Sequence, residues 1–435
     1  MALLGICGQA PVLLKDLMSK ASGFSRASDE KIGDQNMADV LYVIRHVPGS
    51  DALSLRCASI IRQLKSCGLT VDLMTTLAAP VNRQAGELTL GADAFYCPCE
   101  LGSSQKVARF IEMALGTRAS TWIAGYIDEQ KPQAVLFYGG TCTLVSRVLG
   151  HARRSHVRVM IDETDWFRPG PGMNVYARTY YALDNRRLKR VDAGLDGIIA
   201  ISPYFREHFS RLNRNVLFFP PCVERLPAER DGHYRSGGRC VSFVYAGSLG
   251  PGKDILVPFA RALLSYRDRS TQRVHARTFR LKVVGVGAED MARELSVPPS
   301  ELESLGIECY GRLSHDKTLT IVRSCDVGLL LRHPQLYAKA GFSTKAVEYL
   351  TNGLPLLCNE VGGVDALIDN GVDGFVLGPE ETDEGSLLAF LQKLEMLDDE
   401  GLARMSSAAR AKASRLFIEE RYQDAFRSFL DAVFE

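Results

Sequence analysis

The sequence predicts an α/β protein in which two doubly wound domains, each built on a parallel sheet, face a central cleft. Uninterrupted apolar runs such as 40–44 are typical of parallel strands that are buried on both faces. Segments with helical periodicity separate most of these runs, which favours right-handed β-α-β crossovers. The alternation ends at Pro220 and Pro221 and begins again near residue 240, so we expect two similar, Rossmann-like units.

The predicted elements follow the chain in order. A strand at 40–44 leads through a turn at 48–50 into a helix over about 52–66, which Gly68 ends. The other strands of the first unit are predicted at 71–74, 134–138, 157–161, 197–201 and 216–219. Those of the second unit are predicted at 241–245, 281–284, 327–331, 354–358 and 374–377. Because ligands bind beyond the carboxyl ends of such strands, we expect a site in the cleft between the units.

The division into domains follows from a polar segment between the two units. Residues 225–239 are rich in Arg, Glu and Gly, which suits an interdomain linker. At 435 residues the chain is also too long for one ordinary core. We therefore predict an amino-terminal arm over 1–36, a first domain over 37–221, a second over 222–415 and a terminal helical segment over 416–435.

Bulk composition limits the classes of function. Apolar residues make up 46% and charged residues 24% of the chain, which is globular composition. The net charge of +1 provides no overall field that would favour nucleic acid. The sequence has no run of eighteen apolar residues, and residues 1–36 lack the pattern of a secretory signal. We expect a cytoplasmic protein, with contact of the arm at a membrane surface as the alternative.

The eleven cysteines and eight histidines are dispersed along the sequence, and Cys97 and Cys99 form the one close cysteine pair. No histidine lies near that pair in sequence to complete a set of zinc ligands. We therefore expect reduced thiols, no structural metal and no bound cofactor.

A glycine-rich turn opens the second unit, where residues 245–254 read YAGSLGPGKD. Glycines such as Gly247 let the backbone approach a ligand closely, and the helix that follows offers free N–H groups to a phosphate. Lys253 would add a full positive charge there. The spacing matches neither the dinucleotide fingerprint nor the P-loop, so a purely structural turn is the alternative.

A second motif combines a capped helix with two charges, where residues 341–350 read GFSTKAVEYL. With Ser343 as the N-cap, the first turn presents N–H donors and the positive end of the helix dipole. Lys345 and Glu348 are three residues apart and therefore lie on one face of the helix. The Glu348 carboxylate could accept two hydrogen bonds from a ribose diol. A surface ion pair between Lys345 and Glu348 is the alternative.

A third turn, with the sequence NEVGGVD at 359–365, follows the next predicted strand. Together with 281–287 (LKVVGVG) and 310–313 (YGRL), the motifs from 241 to about 377 resemble in order those of family 4 of the retaining glycosyltransferases, whose architecture is called GT-B. The first domain resembles the family only loosely. The resemblance implies a nucleotide diphosphate sugar bound by the second domain, an acceptor bound by the first, and a terminal helix that packs back across the first domain.

The resemblance also implies roles for individual residues. Lys253 would hold the donor diphosphate, and Glu348 would bind the ribose hydroxyls. The backbone at 342–344 would face the phosphates, and Gly311 and Arg312 would border the nucleobase. Lys253 and the helix terminus would stabilise the charge that develops on the leaving nucleotide, without a metal. The predicted donor-binding residues are Gly247, Ser248, Lys253, Gly311, Arg312, Phe342, Ser343, Thr344, Lys345 and Glu348.

Two positions depart from the family pattern. Ser248 stands where the family usually has an arginine, so one cation of the phosphate site is missing. Ala340 stands eight residues before Glu348, where the family usually has a second glutamate. These two departures support the alternative of a catalytically silent partner subunit that keeps the fold.

An acidic and aromatic cluster, Asp162 to Trp166, follows a predicted strand of the first domain. Carboxylates at the carboxyl end of a strand lie at the cleft, so Asp162 and Asp165 are candidates to support an attacking or departing hydroxyl. Trp166 is a candidate to stack on a sugar ring, and helix capping is the alternative role of the acids. The residues after the first strand that we expect on the acceptor side, toward an acceptor phosphate, are Gly49, Ser50 and Arg56.

These observations and the family resemblance together predict a transferase that moves a sugar from a UDP- or GDP-sugar to a carbohydrate or lipid-linked acceptor, in polysaccharide or glycoconjugate assembly. Its retaining stereochemistry is implied by the resemblance alone. The predicted catalytic residues are Asp162, Asp165, Lys253 and Glu348. A nucleotide-sugar epimerase of the same architecture is a further alternative, because it would use the donor site without an acceptor.

Overall fold

The structure, a computed structural model, describes residues 37–45, 48–49, 52–76, 90–98, 105–170, 172–229, 240–247, 254–270, 277–360 and 363–435. The predicted arm over 1–36 lies outside the described residues. Within the described residues, two separate parallel sheets carry helices on their faces. The predicted fold class is therefore confirmed.

The first sheet contains seven strands, all paired in parallel. They are β1 (Val40–Ile44), β2 (Val71–Thr75), β3 (Ala94–Tyr96), β4 (Ala134–Tyr138), β5 (Arg158–Glu163), β6 (Gly197–Ala200) and β7 (Val216–Phe218). Their order across the sheet is β3-β2-β1-β4-β5-β6-β7. Every residue of β1 is buried, as expected of a central parallel strand that is covered on both faces. The strand order reverses between β1 and β4, and such switch points open crevices for ligands.

The second sheet contains six parallel strands among the residues described. They are β8 (Cys240–Ala246), β9 (Thr278–Val284), β10 (Ile307–Cys309), β11 (Val327–Leu330), β12 (Leu356–Asn359) and β13 (Gly374–Leu377). Their order is β10-β9-β8-β11-β12-β13, so the switch point lies between β8 and β11.

The helices of the first domain are α1 (Ala52–Ser66), α2 (Lys106–Leu115), α3 (Thr117–Gln130), α4 (Cys142–Arg154), α5 (Val175–Arg190) and α6 (Pro203–Ser210). Those that follow β8 are α7 (Leu256–Ser270), α8 (Ala288–Leu295), α9 (His315–Arg323), α10 (Leu336–Ala340), α11 (Thr344–Thr351), α12 (Glu384–Leu394), α13 (Asp399–Leu416) and α14 (Gln423–Phe434). Within this part of the chain, no helix is long and apolar enough to cross a membrane.

The terminal helix α14 packs across the first domain, although it follows the second domain in sequence. Its apolar side chains Phe426, Phe429, Leu430 and Val433 share one buried cluster with β1, β2 and β4. Gly197 on β6 allows this contact, because a β-carbon at that position would lie 2.6 Å from the Phe429 ring. The first strand and the last helix that the structure describes therefore share one hydrophobic core.

Candidate functional site

The amino end of α11 lies at the junction of the two domains. Ser343 occupies the N-cap position but makes no side-chain capping bond, and its buried hydroxyl instead lies 3.5 Å from the Arg332 guanidinium. Phe342 is buried against Phe417, whereas Thr344 begins the helix and is half-buried. The first turn of α11 therefore presents backbone groups and one arginine, as an anion site at a helix terminus requires.

Two cations share one buried carboxylate beside this helix end. Asp254 is 1% exposed, and its carboxylate lies 3.1 Å from the Lys345 ammonium and 3.4 Å from the Arg332 guanidinium. It also accepts a hydrogen bond of 2.6 Å from the Tyr245 hydroxyl. Burial alone would raise the pKa of Asp254, but Lys345, the Tyr245 hydroxyl and Arg332 together lower the pKa. Two cations against one ionised carboxylate leave this cluster net positive.

Glycines bring backbone close to this cluster. A β-carbon at Gly247 would lie 2.2 Å from the Lys345 ammonium, and one at Gly285 would lie 2.3 Å from the Gly247 carbonyl oxygen. The amide of Gly285 donates a 2.6 Å hydrogen bond to the carbonyl of Gly311, which itself has a positive φ of 61°. The exposed Arg312 follows at the edge of the second sheet. Gly285 thus links the predicted positions 247 and 311, because it packs on the Gly247 backbone and hydrogen-bonds to Gly311.

Glu348 lies one turn further along α11, on the same face as Lys345. Lys345 pairs with Asp254 rather than with Glu348, so the surface ion pair considered from the sequence is not formed. The Glu348 carboxylate lies 3.9 Å from the His315 ring and accepts no hydrogen bond from a residue that the structure describes. Burial raises the pKa of Glu348, with His315 and Lys345 acting in the opposite direction. Its carboxylate oxygens are thus available to hydroxyl donors.

The acidic run of the first domain splits into buried and exposed members. Asp165 is exposed, and a β-carbon built on Gly341 would lie 3.2 Å from its carboxylate. Asp165 therefore reaches the segment that leads into α11. Nearby, the Ser202 hydroxyl donates to the Ala340 carbonyl, and the two residues belong to different domains.

Asp162 and Arg56 are not cleft residues, and this corrects two predictions. Asp162 has no exposed surface, and both of its carboxylate oxygens bind the Arg56 guanidinium, at 2.8 and 3.1 Å. Arg56 also donates to the carbonyl oxygens of Phe219 and Pro220. The pair therefore ties α1 to β5 and to the end of β7, and it can reach neither an acceptor hydroxyl nor an acceptor phosphate.

The prediction that Trp166 stacks on a sugar ring is also wrong. Trp166 is buried, its ring lies parallel to that of Phe205, and its indole N–H donates a 2.7 Å hydrogen bond to Asn185. A sugar platform needs at least one open ring face, whereas this ring is part of the core.

Some predicted residues cannot be placed with this site. Gly49 lies before α1, where its amide donates to the Ser54 hydroxyl. Ser50, Ser248 and Lys253 lie outside the described residues. The predicted diphosphate role of Lys253 therefore stays a prediction.

Three charged residues of the site were not predicted from the sequence. Asp254 directly follows the glycine-rich turn, Arg332 directly follows the predicted strand 327–331, and His315 begins α9. The position of Arg332 at the carboxyl end of a strand is the one signal that could have pointed to it. No feature of the sequence links Asp254 to Lys345, because that contact joins residues 91 positions apart.

Comparisons with known proteins bear on the family and on the fold. Residues 242–395 match the family model described as "Glycosyl transferases group 1", which agrees with a glycosyltransferase resemblance in the motifs of the second domain. The retaining family 4 assignment stays a prediction. No curated protein matches the sequence.

Solved structures share the whole architecture at low identity. Anabaena Alr3699/HepE in complex with UDP and glucose is 14% identical and has a TM-score of 0.61, covering 91% of this chain and 99% of that chain. Sucrose-phosphate synthase from Thermosynechococcus elongatus is 14% identical with a TM-score of 0.62 and the same coverage. WaaG, a glycosyltransferase involved in lipopolysaccharide biosynthesis, is 14% identical with a TM-score of 0.57, covering 89% and 99%. The fold of this chain is therefore GT-B.

Proposed function

We propose that this chain, whose second domain carries the group 1 glycosyl transferase signature, moves a sugar from a UDP- or GDP-sugar to a carbohydrate or lipid-linked acceptor with retention of configuration. The observation that carries the proposal is the net-positive cluster of Arg332, Lys345 and Asp254 at the amino end of α11. A diphosphate is the ligand chemistry that such a cluster favours. Solved structures of the same fold include complexes with UDP and with UDP-glucose.

The donor would be held at two points. Its diphosphate would face the first turn of α11 with Lys345 and Arg332, and Lys253 would add a third cation. Its ribose hydroxyls would donate to Glu348, whose carboxylate lies one turn from the phosphate end of the helix. The cations would stabilise the charge that develops on the leaving nucleotide, so we propose a transfer that does not depend on a metal.

The acceptor hydroxyl would approach from the first domain, beside Asp165. Asp165 is the exposed carboxylate that reaches Gly341 at the start of the donor helix. In this position it would accept a hydrogen bond from the attacking hydroxyl and orient it toward the sugar. Asp162, which is fully buried, takes no part.

A second candidate is a silent partner subunit that binds donor without transferring it. Ala340, at the place where the family resemblance expects a glutamate, is fully buried and cannot supply that contact. An isolated chain that binds UDP but neither hydrolyses nor transfers the sugar would support this candidate. Consumption of a donor sugar that does not depend on any acceptor would instead support the epimerase.

The test begins with thermal melting of the full chain in UDP and in GDP, because a bound nucleotide stabilises by mass action. Transfer is then measured for the wild type, for Asp165→Asn and for the control Asp424→Asn, whose side chain is 99% exposed on α14. Asp165→Asn should keep nucleotide affinity and lose transfer by about 10²–10⁴-fold, the usual contribution of such a group. Full transfer by Asp165→Asn would remove the acceptor role, and the absence of any nucleotide effect on melting would remove the donor site.

A further inference from the structure

A cavity opens at the switch point of the first sheet, apart from the donor cluster. Its described walls border about 450 Å³ of empty space that includes open solvent, and the room available to the centres of water-sized groups is about 30 Å³. Arg45, Thr76 and Gly139 line it, and each lies just beyond the carboxyl end of a strand. The pairing of β1 with β2 and β4 places these three positions side by side across neighbouring strands. A ligand in this cavity would therefore sit where doubly wound sheets bind ligands.

The cation in this cavity has aromatic rather than acidic neighbours. The Arg45 guanidinium stacks on the Tyr180 ring at 3.7 Å and donates a 3.3 Å hydrogen bond to the Tyr176 hydroxyl. Its Nε atom is buried and has no hydrogen-bond partner among the described residues. Among the described residues, no carboxylate lies within 4 Å of the Arg45 guanidinium. Arg45 thus resembles a cation that is held in place for a partner that the protein does not supply.

Other arginines in this domain show what an internal partner looks like. Arg56 has Asp162, and Arg187 has Glu163, Asp184 and Asp192. A buried charge without a counter-ion is costly, and proteins normally pair it. In the described part of the chain, Arg45 makes no such ion pair: the Asp184 carboxylate lies within electrostatic range of Arg45 but binds Arg187. This distinguishes Arg45 from the structural arginines around it.

The remaining walls do not neutralise this charge. Glu112 lines the cavity, but its carboxylate already accepts hydrogen bonds from the amides of Arg118 and Ala119 and from the Thr117 hydroxyl. It therefore serves the amino end of α3. Backbone at Gly139 and Gly140, both with positive φ, forms the side from which α4 begins.

We propose that this cavity binds an anionic oxygen group, a phosphate or a carboxylate, carried by the acceptor, with Arg45 as its counter-ion. That the anion belongs to an acceptor rests on the proposed function, whereas anion binding at Arg45 does not. Tyr138 lines the same cavity, and its hydroxyl lies within electrostatic range of Asp165. An acceptor anchored by its charge at Arg45 would thus extend past Tyr138 toward the carboxylate proposed to orient its hydroxyl.

The test uses the full chain saturated with UDP, so that the donor phosphates are already occupied. Inorganic phosphate and acetate are titrated at constant ionic strength against a sodium chloride reference, and binding is followed by calorimetry and thermal melting. The variants are Arg45→Met and the matched control Arg178→Met, an exposed arginine on α5. Comparing the phosphate titration with the acetate titration shows whether the cavity prefers a phosphate or a carboxylate.

We expect phosphate or acetate to bind the wild type and Arg178→Met alike, and Arg45→Met to lose roughly ten- to a hundredfold in affinity, the scale of a charge-assisted contact. Without anion, Arg45→Met should melt at about the same temperature as the wild type, because the half-buried Arg45 has no ion pair to lose within the described structure. A melting temperature several degrees lower would show that Arg45 is structural and would overturn the proposal. So would equal anion affinity in Arg45→Met, or no binding of either anion to the wild type. Failure of UDP to bind would instead count against the proposed function.

Discussion

Replacing Arg56 by methionine should destabilise the first domain strongly, because it leaves the Asp162 carboxylate buried without a cation. Arg56 is 5% exposed and Asp162 is 0% exposed, and two hydrogen bonds of 2.8 and 3.1 Å join them. Removing one partner of such a buried pair costs about 3–5 kcal/mol. For a domain of this size, about 2–4 °C per kcal/mol converts that loss into a melting midpoint lower by roughly 6–20 °C.

The assay is thermal melting of the wild type, Arg56→Met, Asp162→Asn and the double variant. The double variant should recover part of the loss, with a coupling of about 0.5–3 kcal/mol, since neither charge then remains uncompensated. Arg178→Met, which alters an exposed arginine, should melt like the wild type. A midpoint for Arg56→Met within about 2 °C of the wild type, or additive single effects, would refute the structural pair. Loss of transfer in Asp162→Asn with unchanged melting would show that Asp162 acts on substrate after all.

Three further predictions concern the donor site. Glu348→Gln should raise the donor Kd on the order of tenfold to a few hundredfold and abolish discrimination against 2′- and 3′-deoxyribose donors. Burial raises the pKa of Glu348. Wild-type donor affinity should therefore fall as the pH drops through a pKa that lies above the ordinary value of about 4.3, because the carboxylate becomes protonated. The affinity of Glu348→Gln should not fall in this pH range. Gly247→Ala should displace the Lys345 ammonium and the Tyr245 hydroxyl, which would lie 2.2 and 2.9 Å from the new β-carbon; UDP affinity measured by calorimetry should therefore fall. Lys253→Ala should weaken donor binding and turnover together by roughly 2–4 kcal/mol, and unchanged donor affinity with an unchanged rate would contradict its phosphate role.

Most strands were predictable from the sequence because they are largely apolar runs of four residues or more. β1, β4 and β13 have the predicted bounds, and most of the others differ by one to three residues at an end. The two strands that were missed, β3 and β10, have three residues each and form an edge of their sheets. A strand of three residues gives so short an apolar signal that it resembles a loop; the edge strands β7 and β13 were predicted because they belong to four-residue runs without polar side chains.

The acidic run shows why the site was harder to predict than the fold. The strand predicted at 157–161 continues to Glu163 in the structure. Two extra residues of strand carry Asp162 and Glu163 into the core, where each meets an arginine from a distant element. Asp165, two residues beyond the strand, is the acid that emerges at the junction. An error of two residues at a strand end thus decided which carboxylate faces the cleft, and such ends are the least certain part of a sequence prediction.

Ala340, which stands where the resemblance expects a second glutamate, also takes part in the contact between the two domains. Ala340 is fully buried, and its carbonyl accepts a hydrogen bond from Ser202 in the first domain. A glutamate at this position would have to bury an unpaired carboxylate or open the junction, and either would cost several kcal/mol. Ala340→Glu is therefore expected to destabilise the chain rather than to restore a donor contact. The structure instead brings the exposed Asp165 carboxylate to Gly341, so an acid from the first domain stands beside the helix that carries Glu348. The contact between the two domains and the placement of this acid thus depend on the same short segment, 340–341.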